Sequence, residues 1–421
     1  MSSFITEPER RIPVAGVFDV IVCGGGPAGS AAARTAAAAG CRTLLLERNQ
    51  ALGGIWSAGL MPWIIDCRRK NGLMRFWRDR LLALGGHMHC GRTLGVPPET
   101  LKFFLEQDLL AVRVVLRYGT TVVGTQCRDG GITHVITESK SGREAWRGTV
   151  FIDCTGDGDL SALAGCAWDY GNDQGMIQPA SLNALVGGIR GKDVEKFFVP
   201  DGKIPLRDEL ARCGISPSYA MPSLFPFGSG VFGWMTHHAY NVCAFDADAV
   251  TRATLEGRAE LNRQIAGLRS LGGIWENLTL LATAERLGCR EARRIRGRAT
   301  VSIDDFGKEP VPGETVSVST VLPDVHAPDP EHGRGVMDQA RSLPPFLPVP
   351  FLAQCACDRE NLLLAGRCIS GDFSSHASYR MTGTAVTLGE AAGLAAAWSV
   401  CSGKAPYLWK DVSCLSLEED I

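Results

Sequence analysis

The sequence predicts an α/β fold built on a parallel sheet with helices packed against it. Two stretches carry this prediction. Residues 18–47 contain an apolar run, a glycine-rich turn, an alanine-rich helical segment and a second apolar run, in that order. Residues 361–399 repeat the pattern, because the apolar run LLLA (362–365) leads through a glycine- and hydroxyl-rich segment into another alanine-rich helix. Short apolar runs that alternate with helices are typical of buried parallel strands.

The first glycine turn has the spacing of a dinucleotide-binding motif. The segment GGGPAG (24–29) directly follows the strand FDVIVC (18–23) and opens the first helix. Gly24 permits a tight turn, Gly26 lets the backbone approach a pyrophosphate, and Gly29 lets the helix pack closely on the sheet. The amino-terminal end of the helix offers free N–H groups to the phosphates. The turn therefore predicts a dinucleotide cofactor.

A second strand, CRTLLLE (41–47), ends in Glu47, which is placed to accept hydrogen bonds from ribose hydroxyls. Another match to the glycine pattern, GSGVFG (228–233), lacks this setting, since prolines precede it and an aromatic segment follows it instead of a helix. We therefore expect one dinucleotide and no separate NAD(P)H domain.

The composition limits the kinds of partner and compartment. The 421 residues are 45% apolar and carry a formal net charge of −2, so no whole-protein field attracts nucleic acid or an anionic membrane. The 15 cysteines include no CxxC pair and follow no secretory leader, which predicts a reducing, cytoplasmic location. The best candidate for a membrane span, 384–400, contains Glu390, so we expect none.

Two clusters of polar residues are predicted to bind neither a metal ion nor a nucleic acid. GGHMHC (85–90) contains metal-ligating residue types, but no second ligand cluster accompanies it, and we predict no metal site. Six arginines lie within 286–298, but Glu285 and Glu291 interrupt them and interleaved aromatic residues are missing. This pattern does not indicate a nucleic-acid surface.

The chain after Glu47 resembles the FAD-binding flavoproteins of the glutathione-reductase-like superfamily, which hold the cofactor in a Rossmann-like domain. A second glycine pair follows within seven residues, and DCTGDGD (153–159) is similar to the turn where the chain returns to that domain. GCREARR (288–294) and PDVH (323–326) resemble signatures of one branch, the bacterial FAD-dependent oxidoreductase family. The resemblance covers nearly the whole chain, in order.

This resemblance implies a discontinuous FAD-binding domain at 15–175 and 345–405, an inserted sheet-based substrate domain at 176–344 and a tail at 406–421. It implies FAD as the cofactor. The motif and the resemblance together place the following residues at the cofactor: Gly24, Gly26, Pro27, Ala28, Gly29, Glu47, Arg48, Gly53, Gly54, Ser57, Gly59, Thr155, Gly156, Gly366, Asp372, Gly383 and Thr384.

Covalent attachment of the flavin is left open, with Cys67, Cys368 and His376 as the nucleophiles in suitable regions. The helix that begins near Gly383 is expected to point its amino-terminal end at the pyrimidine side of the flavin and to stabilise negative charge there.

Four side chains are candidates for the chemistry: His376, Arg380, His238 and Arg290. His376 is either an acid/base or a structural hydrogen-bonding residue, and Arg380 either grips a substrate anion or lies at the surface. The alternation of a strand allows at most one of His237 and His238 to face the flavin. The resemblance makes Arg290 and Arg293 candidates for the interface between flavin and substrate.

We expect an FAD-dependent oxidoreductase of the dehydrogenase or oxidase type, which transfers a hydride between a small-molecule C–H bond and flavin N5. Oxygen or another electron acceptor completes the cycle. The alternatives are a flavin-dependent monooxygenase or halogenase and a non-catalytic flavoprotein. The substrate, the reaction direction and the choice between monomer and homo-oligomer stay open.

Overall fold

The computed structural model describes residues 5–89, 91, 93–228, 230–329 and 342–411. Its strands are β1 (Val14–Cys23), β2 (Thr43–Leu46), β3 (Trp63–Ile64), β4 (His87–His89), β5 (Thr93–Gly95), β6 (Val115–Arg117), β7 (Thr121–Arg128), β8 (Gly131–Ser139), β9 (Gly142–Asp153), β10 (Trp168–Asp169), β11 (Ala184–Gly187), β12 (Ser223–Pro226), β13 (Phe232–Met235), β14 (Thr279–Thr283), β15 (Arg294–Ile295), β16 (Thr315–Ser319), β17 (Leu347–Pro350) and β18 (Leu362–Leu364). Its helices are α1 (Pro27–Ala38), α2 (Gly72–Ala83), α3 (Pro98–Ala111), α4 (Asp159–Leu163), α5 (Gly191–Val194), α6 (Lys203–Arg212), α7 (Ala247–Ser270), α8 (Phe373–Tyr379) and α9 (Thr382–Ser402).

The main sheet has the strand order β6-β2-β1-β9-β8-β7, and β18 also pairs with β9. Strands β6, β2, β1, β9 and β18 run parallel, whereas β7, β8 and β9 form an antiparallel meander. The long strand β9 pairs with β8 near its start, and its last three residues, Phe151, Ile152 and Asp153, pair with β18. The predicted α/β fold with a parallel sheet is confirmed.

Helices α1 and α9 pack against each other at unusually short range because both present small residues. A Cβ atom added at Gly389 would lie 2.1 Å from the carbonyl oxygen of Ala28, and one added at Gly393 would lie 2.6 Å from that of Ala32. By length and composition α9 passes as a possible membrane span, but 72% of the apolar window is buried inside the protein. This helix therefore belongs to the core of the first domain.

Glu390 of α9 takes the place of a capping side chain for α2. The N-cap residue Asn71 makes no side-chain cap, and the Leu73 N–H donates to Glu390 Oε1 at 3.1 Å and Oε2 at 3.0 Å. Burial raises the pKa of Glu390 from 4.5 to about 7, against the opposing effects of the Leu73 N–H and of Arg34. The carboxyl group is thus favoured in its neutral form in the folded protein.

We expect Glu390→Gln to remove a pH dependence of stability. A carboxyl group whose pKa is raised by folding stabilises the folded state fully when the pH is below the pKa of the unfolded chain, 4.5. This stabilisation is lost as the pH rises from there through the pKa of the folded state, about 7. Above that pH, E390Q should gain on the order of 3 kcal/mol over the wild type, and the gain should vanish near pH 4. Urea unfolding across this range measures it. The exposed Glu276→Gln is the control, and parallel curves for E390Q and wild type would contradict the prediction.

A second core builds the inserted part of the chain. Buried apolar residues from Ala180 to Leu287 pack around the antiparallel sheet β12-β13-β11-β14 and helix α7. Ile295 and Val316 belong instead to the core of the first domain, and β16 pairs with β17. The change from one hydrophobic core to the other falls before Ile295, and the predicted domain boundaries stay a prediction.

Several local predictions can be compared with the structure. Phe232 and Gly233, the last two residues of GSGVFG, lie in β13, and residues 236–246, all of them described, contain no helix, unlike the segment after a dinucleotide-binding turn. The glycine- and hydroxyl-rich segment 366–383 is mostly buried and contains a short helix, α8. Cys90 and the end of the predicted tail, 412–421, lie outside the described residues.

Candidate functional site

A cavity of about 310 Å³ is lined by residues from both cores. The first domain contributes the turn between β1 and α1, the end of β2 and the start of α9. The second contributes Asn183, Met235 and the segment 286–290. Because concave sites between domains are where proteins bind cofactors and small molecules, this cavity is the candidate site.

The three motif glycines differ in what surrounds them. Gly24 has a φ of +99°, and a Cβ added there would lie 2.4 Å from the carbonyl oxygen of Cys154. A Cβ at Gly29 would lie 1.8 Å from the carbonyl oxygen of Gly24. At Gly26, which lines the cavity, nothing lies within 4 Å of an added Cβ. Gly26 alone of the three therefore leaves room in front of the free N–H groups at the start of α1.

Glu47 is held at the cavity wall by backbone and side-chain donors. The Gly25 N–H donates to its Oε2 at 2.6 Å, and Asn49 donates to its Oε1 through its backbone N–H at 2.8 Å and its side-chain amide at 2.7 Å. A carboxylate offers about four acceptor positions, so one is left for a ligand hydroxyl. The carboxylate is thus fixed in place and still able to accept a bond from a ribose.

Arginines concentrate near the glycine turn. Arg286 and Arg367 both donate to Asp157, the former at 2.7 Å. Burial alone would raise the pKa of Asp157, but the two guanidinium groups outweigh it and hold the pKa at about 2. The nearby Arg286 also lowers the pKa of Arg48. Arg48, Arg286 and Arg367 thus place guanidinium donors on this part of the wall, beside the carboxylates of Glu47 and Asp159, and such donors suit a phosphate-bearing ligand.

At another part of the wall, Asp324 joins a histidine and an arginine. His326 Nε2 lies 3.1 Å from Asp324 Oδ2, and Arg380 Nη2 donates to the Asp324 carbonyl oxygen at 2.8 Å. Burial would raise the pKa of Asp324, but the interactions with His326 and Arg380 hold it well below the usual range. Asp324 is therefore an ionised acceptor for both neighbours.

Arg290 lies on the same wall and is positioned by neutral groups. Its Nη1 donates to the Pro179 carbonyl at 2.6 Å and to Ser181 Oγ at 3.0 Å, and its Nη2 donates to His238 Nε2 at 3.1 Å. The ring of His238 stacks on Tyr219 with centroids 3.9 Å apart. Burial lowers the pKa of His238 far below 6.5, and the charge of Arg290 is the second cause. The imidazole is therefore neutral and accepts this bond.

The comparison with protein families decides what the cavity holds. A family model described as FAD dependent oxidoreductase matches residues 19–419, nearly the whole chain. The chain belongs to the FAD-dependent oxidoreductase family. FAD is accordingly the cofactor of this oxidoreductase, as predicted. No curated protein matches it by sequence.

The wall of the oxidoreductase fits FAD. Gly26 and the arginines near Asp157 suit its diphosphate, and Glu47 suits its ribose. Wall residues also carry buried polar atoms that have no hydrogen-bond partner in the described chain: Asn183 Oδ1, Arg367 Nη1, Arg380 Nε and Thr382 Oγ1. Buried polar atoms are rarely left unpaired, so these atoms indicate where a polar ligand belongs.

Two solved structures with the same fold are those of a monooxygenase and a hydroxylase. p-Nitrophenol 4-monooxygenase PnpA from Pseudomonas putida DLL-E4 aligns with a TM-score of 0.52 and 12% identity over 94% of this chain and 84% of that one. CabE, an aromatic hydroxylase from angucycline biosynthesis, aligns with a TM-score of 0.51 and 15% identity over 91% of this chain and 63% of that one. At such identities the similarity establishes the fold of this oxidoreductase.

The structure brings most of the predicted residues together at the cavity. Those on the wall are Gly24, Gly26, Pro27, Ala28, Glu47, Arg48, Gly54, Thr155, Gly156, Arg290, Gly366 and Arg380. Those away from the wall are Gly29, Gly53, Ser57, Gly59, His238, Asp372, His376, Gly383 and Thr384. Residues of the second group lie outside the wall, and one of them, His238, contacts the wall residue Arg290.

Specific bonds explain why residues of the second group point elsewhere. Asp372 caps α8 through the Ser375 N–H at 2.6 Å and accepts the Ile303 N–H at 2.7 Å. Thr384 donates to Asp66, and Ser57 donates to the Leu52 carbonyl at 2.5 Å.

The candidate nucleophiles for covalent attachment also lie behind the wall. Cys67, Cys368 and His376 are each 0% exposed, and none of them lines the cavity. His376 Nε2 lies 3.1 Å from the Arg367 carbonyl oxygen. Burial lowers the pKa of His376 well below 6.5, which suits a structural role inside the core.

Sequence reasoning missed five wall residues with acidic or basic side chains: Asp159, Arg286, Asp324, His326 and Arg367. Asp324 and His326 form the D-x-H signature, which served only to indicate the family. Arg367 follows Gly366 at the end of β18, where a parallel strand delivers residues to a ligand. That position was the available signal for Arg367.

Proposed function

We propose that this oxidoreductase removes a hydride from a C–H bond of a small organic molecule, with oxygen or another acceptor completing the cycle. The observation that carries this proposal is the pair of Asp324 and His326 on the cavity wall. FAD held by the wall would supply a hydride acceptor, and the substrate would have to lose a proton to the chain in the same reaction. The chain therefore needs a proton acceptor beside the substrate.

His326 meets the requirements of that acceptor. Asp324 is ionised and can only accept, so the His326 proton resides on Nε2 and the lone pair on Nδ1. Nδ1 makes no hydrogen bond within the described part of the chain. Burial, and to a lesser extent the charge of Arg290, lowers the pKa of His326 to about 4, so the ring is neutral at pH 7 and the Nδ1 lone pair is available to a proton. Asp324 orients the ring and stabilises the positive charge it acquires.

Hydroxylation is the second candidate function. It is favoured by the fold shared with p-nitrophenol 4-monooxygenase and with the aromatic hydroxylase CabE, both at TM-scores above 0.5. In that reaction a nicotinamide cofactor or a partner reduces the flavin, and oxygen is inserted into the substrate. The same wall residues would then bind and orient an aromatic substrate.

Anaerobic titration of the purified yellow holoenzyme separates the two. We expect members of a panel of small alcohols, amines and hydroxy acids to bleach the flavin without NADPH, and admitted air to restore the colour. Rapid bleaching by NADPH alone, with none by any organic substrate, would contradict hydride removal and support hydroxylation. Dithionite provides the fully reduced reference spectrum.

A further inference from the structure

Arg290 is a cation without a carboxylate partner on the cavity wall. Its three hydrogen bonds go to the Pro179 carbonyl, the Ser181 hydroxyl and the neutral ring of His238. No carboxylate of the described chain lies within ion-pair distance of it. A guanidinium has five N–H groups, so donors remain after these three bonds.

The charges around Arg290 do not balance among the described residues. Arg380 pairs with Asp324 at 3.4 Å, and the same carboxylate also accepts from His326, which is neutral. Lys203, at the start of α6, adds a further positive charge close enough to interact with Asp324 and Arg290. Asp324 thus faces Arg290, Arg380 and Lys203, and Glu291, the other carboxylate that acts on Arg380, is already paired with Arg294. This part of the wall therefore has an excess positive charge among the described residues.

Arg290 is partly buried, and removing a charge from water without a counter-charge is costly, because neutral acceptors alone do not repay its desolvation. The acceptors around Arg290 fix the guanidinium plane without cancelling its charge. Such a fixed plane is suited to the two oxygens of a carboxylate, which it can bind in a bidentate manner.

The other residues that line the cavity indicate the chemistry of the ligand beyond its carboxylate. Apolar side chains line this cavity, among them Met61, Trp63, Ile65 and Met235. A hydrophobic body can be buried against these residues while a charged end reaches Arg290.

We propose that the substrate of this oxidoreductase is a carboxylate with an apolar body, whose carboxylate binds to Arg290 and Arg380. This inference rests on the proposed function in taking the cavity as the substrate site. It does not depend on the reaction being hydride removal, because it concerns binding to the resting enzyme.

The experiment measures binding to oxidised holoenzyme through the change in the flavin absorption spectrum. Benzoate is the probe, and benzamide is its neutral counterpart of the same shape. We expect benzoate to bind at least about tenfold more tightly than benzamide, as expected for hydrogen bonds to a charged group. Arg290→Met should weaken benzoate binding by about 10- to 100-fold and leave benzamide binding nearly unchanged. The control is Arg296→Met, whose side chain pairs with Asp169 at the surface.

Equal affinities for benzoate and benzamide in the wild type, or an R290M variant that binds benzoate as tightly as the wild type does, would overturn the inference. If R290M does not retain FAD, the comparison of benzoate with benzamide on the wild type tests the inference without the variant. If the wild type prefers benzoate but no organic substrate bleaches its flavin, the carboxylate inference stands and the proposed function fails. If an organic substrate bleaches the flavin but benzoate and benzamide bind equally, the proposed function stands and the carboxylate inference fails.

Discussion

Replacing His326 by glutamine is expected to slow the anaerobic reduction of the flavin by substrate by about 100- to 10,000-fold. Glutamine keeps a polar group beside Asp324 but cannot accept the substrate proton. The FAD content and the benzoate affinity of H326Q should stay close to those of the wild type, because neither depends on proton transfer. Stopped-flow absorbance measures the reduction rate. His134→Gln, in β8, is the control for loss of a remote histidine.

The pH profile of the same rate separates proton acceptance from a structural role. His326 acts in its neutral form, and its pKa is about 4. The wild-type rate should therefore be level from about pH 6 upward and fall as the pH drops through the pKa of His326. H326Q should lose this fall along with the rate. An H326Q variant that reduces as fast as the wild type would exclude His326 as the base.

Gly26→Ala should weaken FAD binding by about 10- to 100-fold, the equivalent of one or two lost bonds to phosphate. The added methyl group meets no protein atom within 4 Å, and the φ of −70° is ordinary for alanine. The thermal stability of the apoprotein should therefore match that of the wild type. Fluorescence titration of apoprotein with FAD gives the dissociation constant.

Two further glycine variants make the comparison specific. Gly29→Ala brings a Cβ to 1.8 Å from a backbone oxygen and should destabilise the apoprotein itself. In Gly191→Ala the closest atom is 3.9 Å away, so neither stability nor FAD affinity should change. If G26A binds FAD like the wild type, the assignment of Gly26 to the diphosphate fails.

The first half of the site was predictable from the sequence because its geometry is local. The chain from β1 through α1 to β2 is continuous, and Glu47 lies beside Gly25 simply because β2 pairs with β1. A glycine spacing, a helix start and a strand end are all visible in a single short segment. For this reason the fold and a dinucleotide cofactor could be predicted from local patterns, whereas FAD in particular was implied by the resemblance of the chain after Glu47, and both predictions are confirmed.

The other half depends on which polar groups are already used by distant parts of the chain. Asp372 and Thr384 have suitable composition and position, but one caps its own helix and the other binds Asp66. Conversely, Asp324 and His326 reach the cavity because the Asp324 backbone is held by the Ala377 carbonyl of α8 and by the Arg380 side chain, which follows α8. No local pattern shows which side chains remain free after such pairing.

The pairing of β18 with β9 has a consequence for biosynthesis. Ribosomes extend the chain from its amino terminus, so the glycine turn emerges first, whereas Gly366, Thr382 and Ala385 of the same cavity wall emerge more than 300 residues later. Until then the carboxyl end of β9 pairs with β1 alone, and the cavity lacks the part of its wall that follows β18. We therefore expect tight flavin binding only after residues 362–385 have been translated.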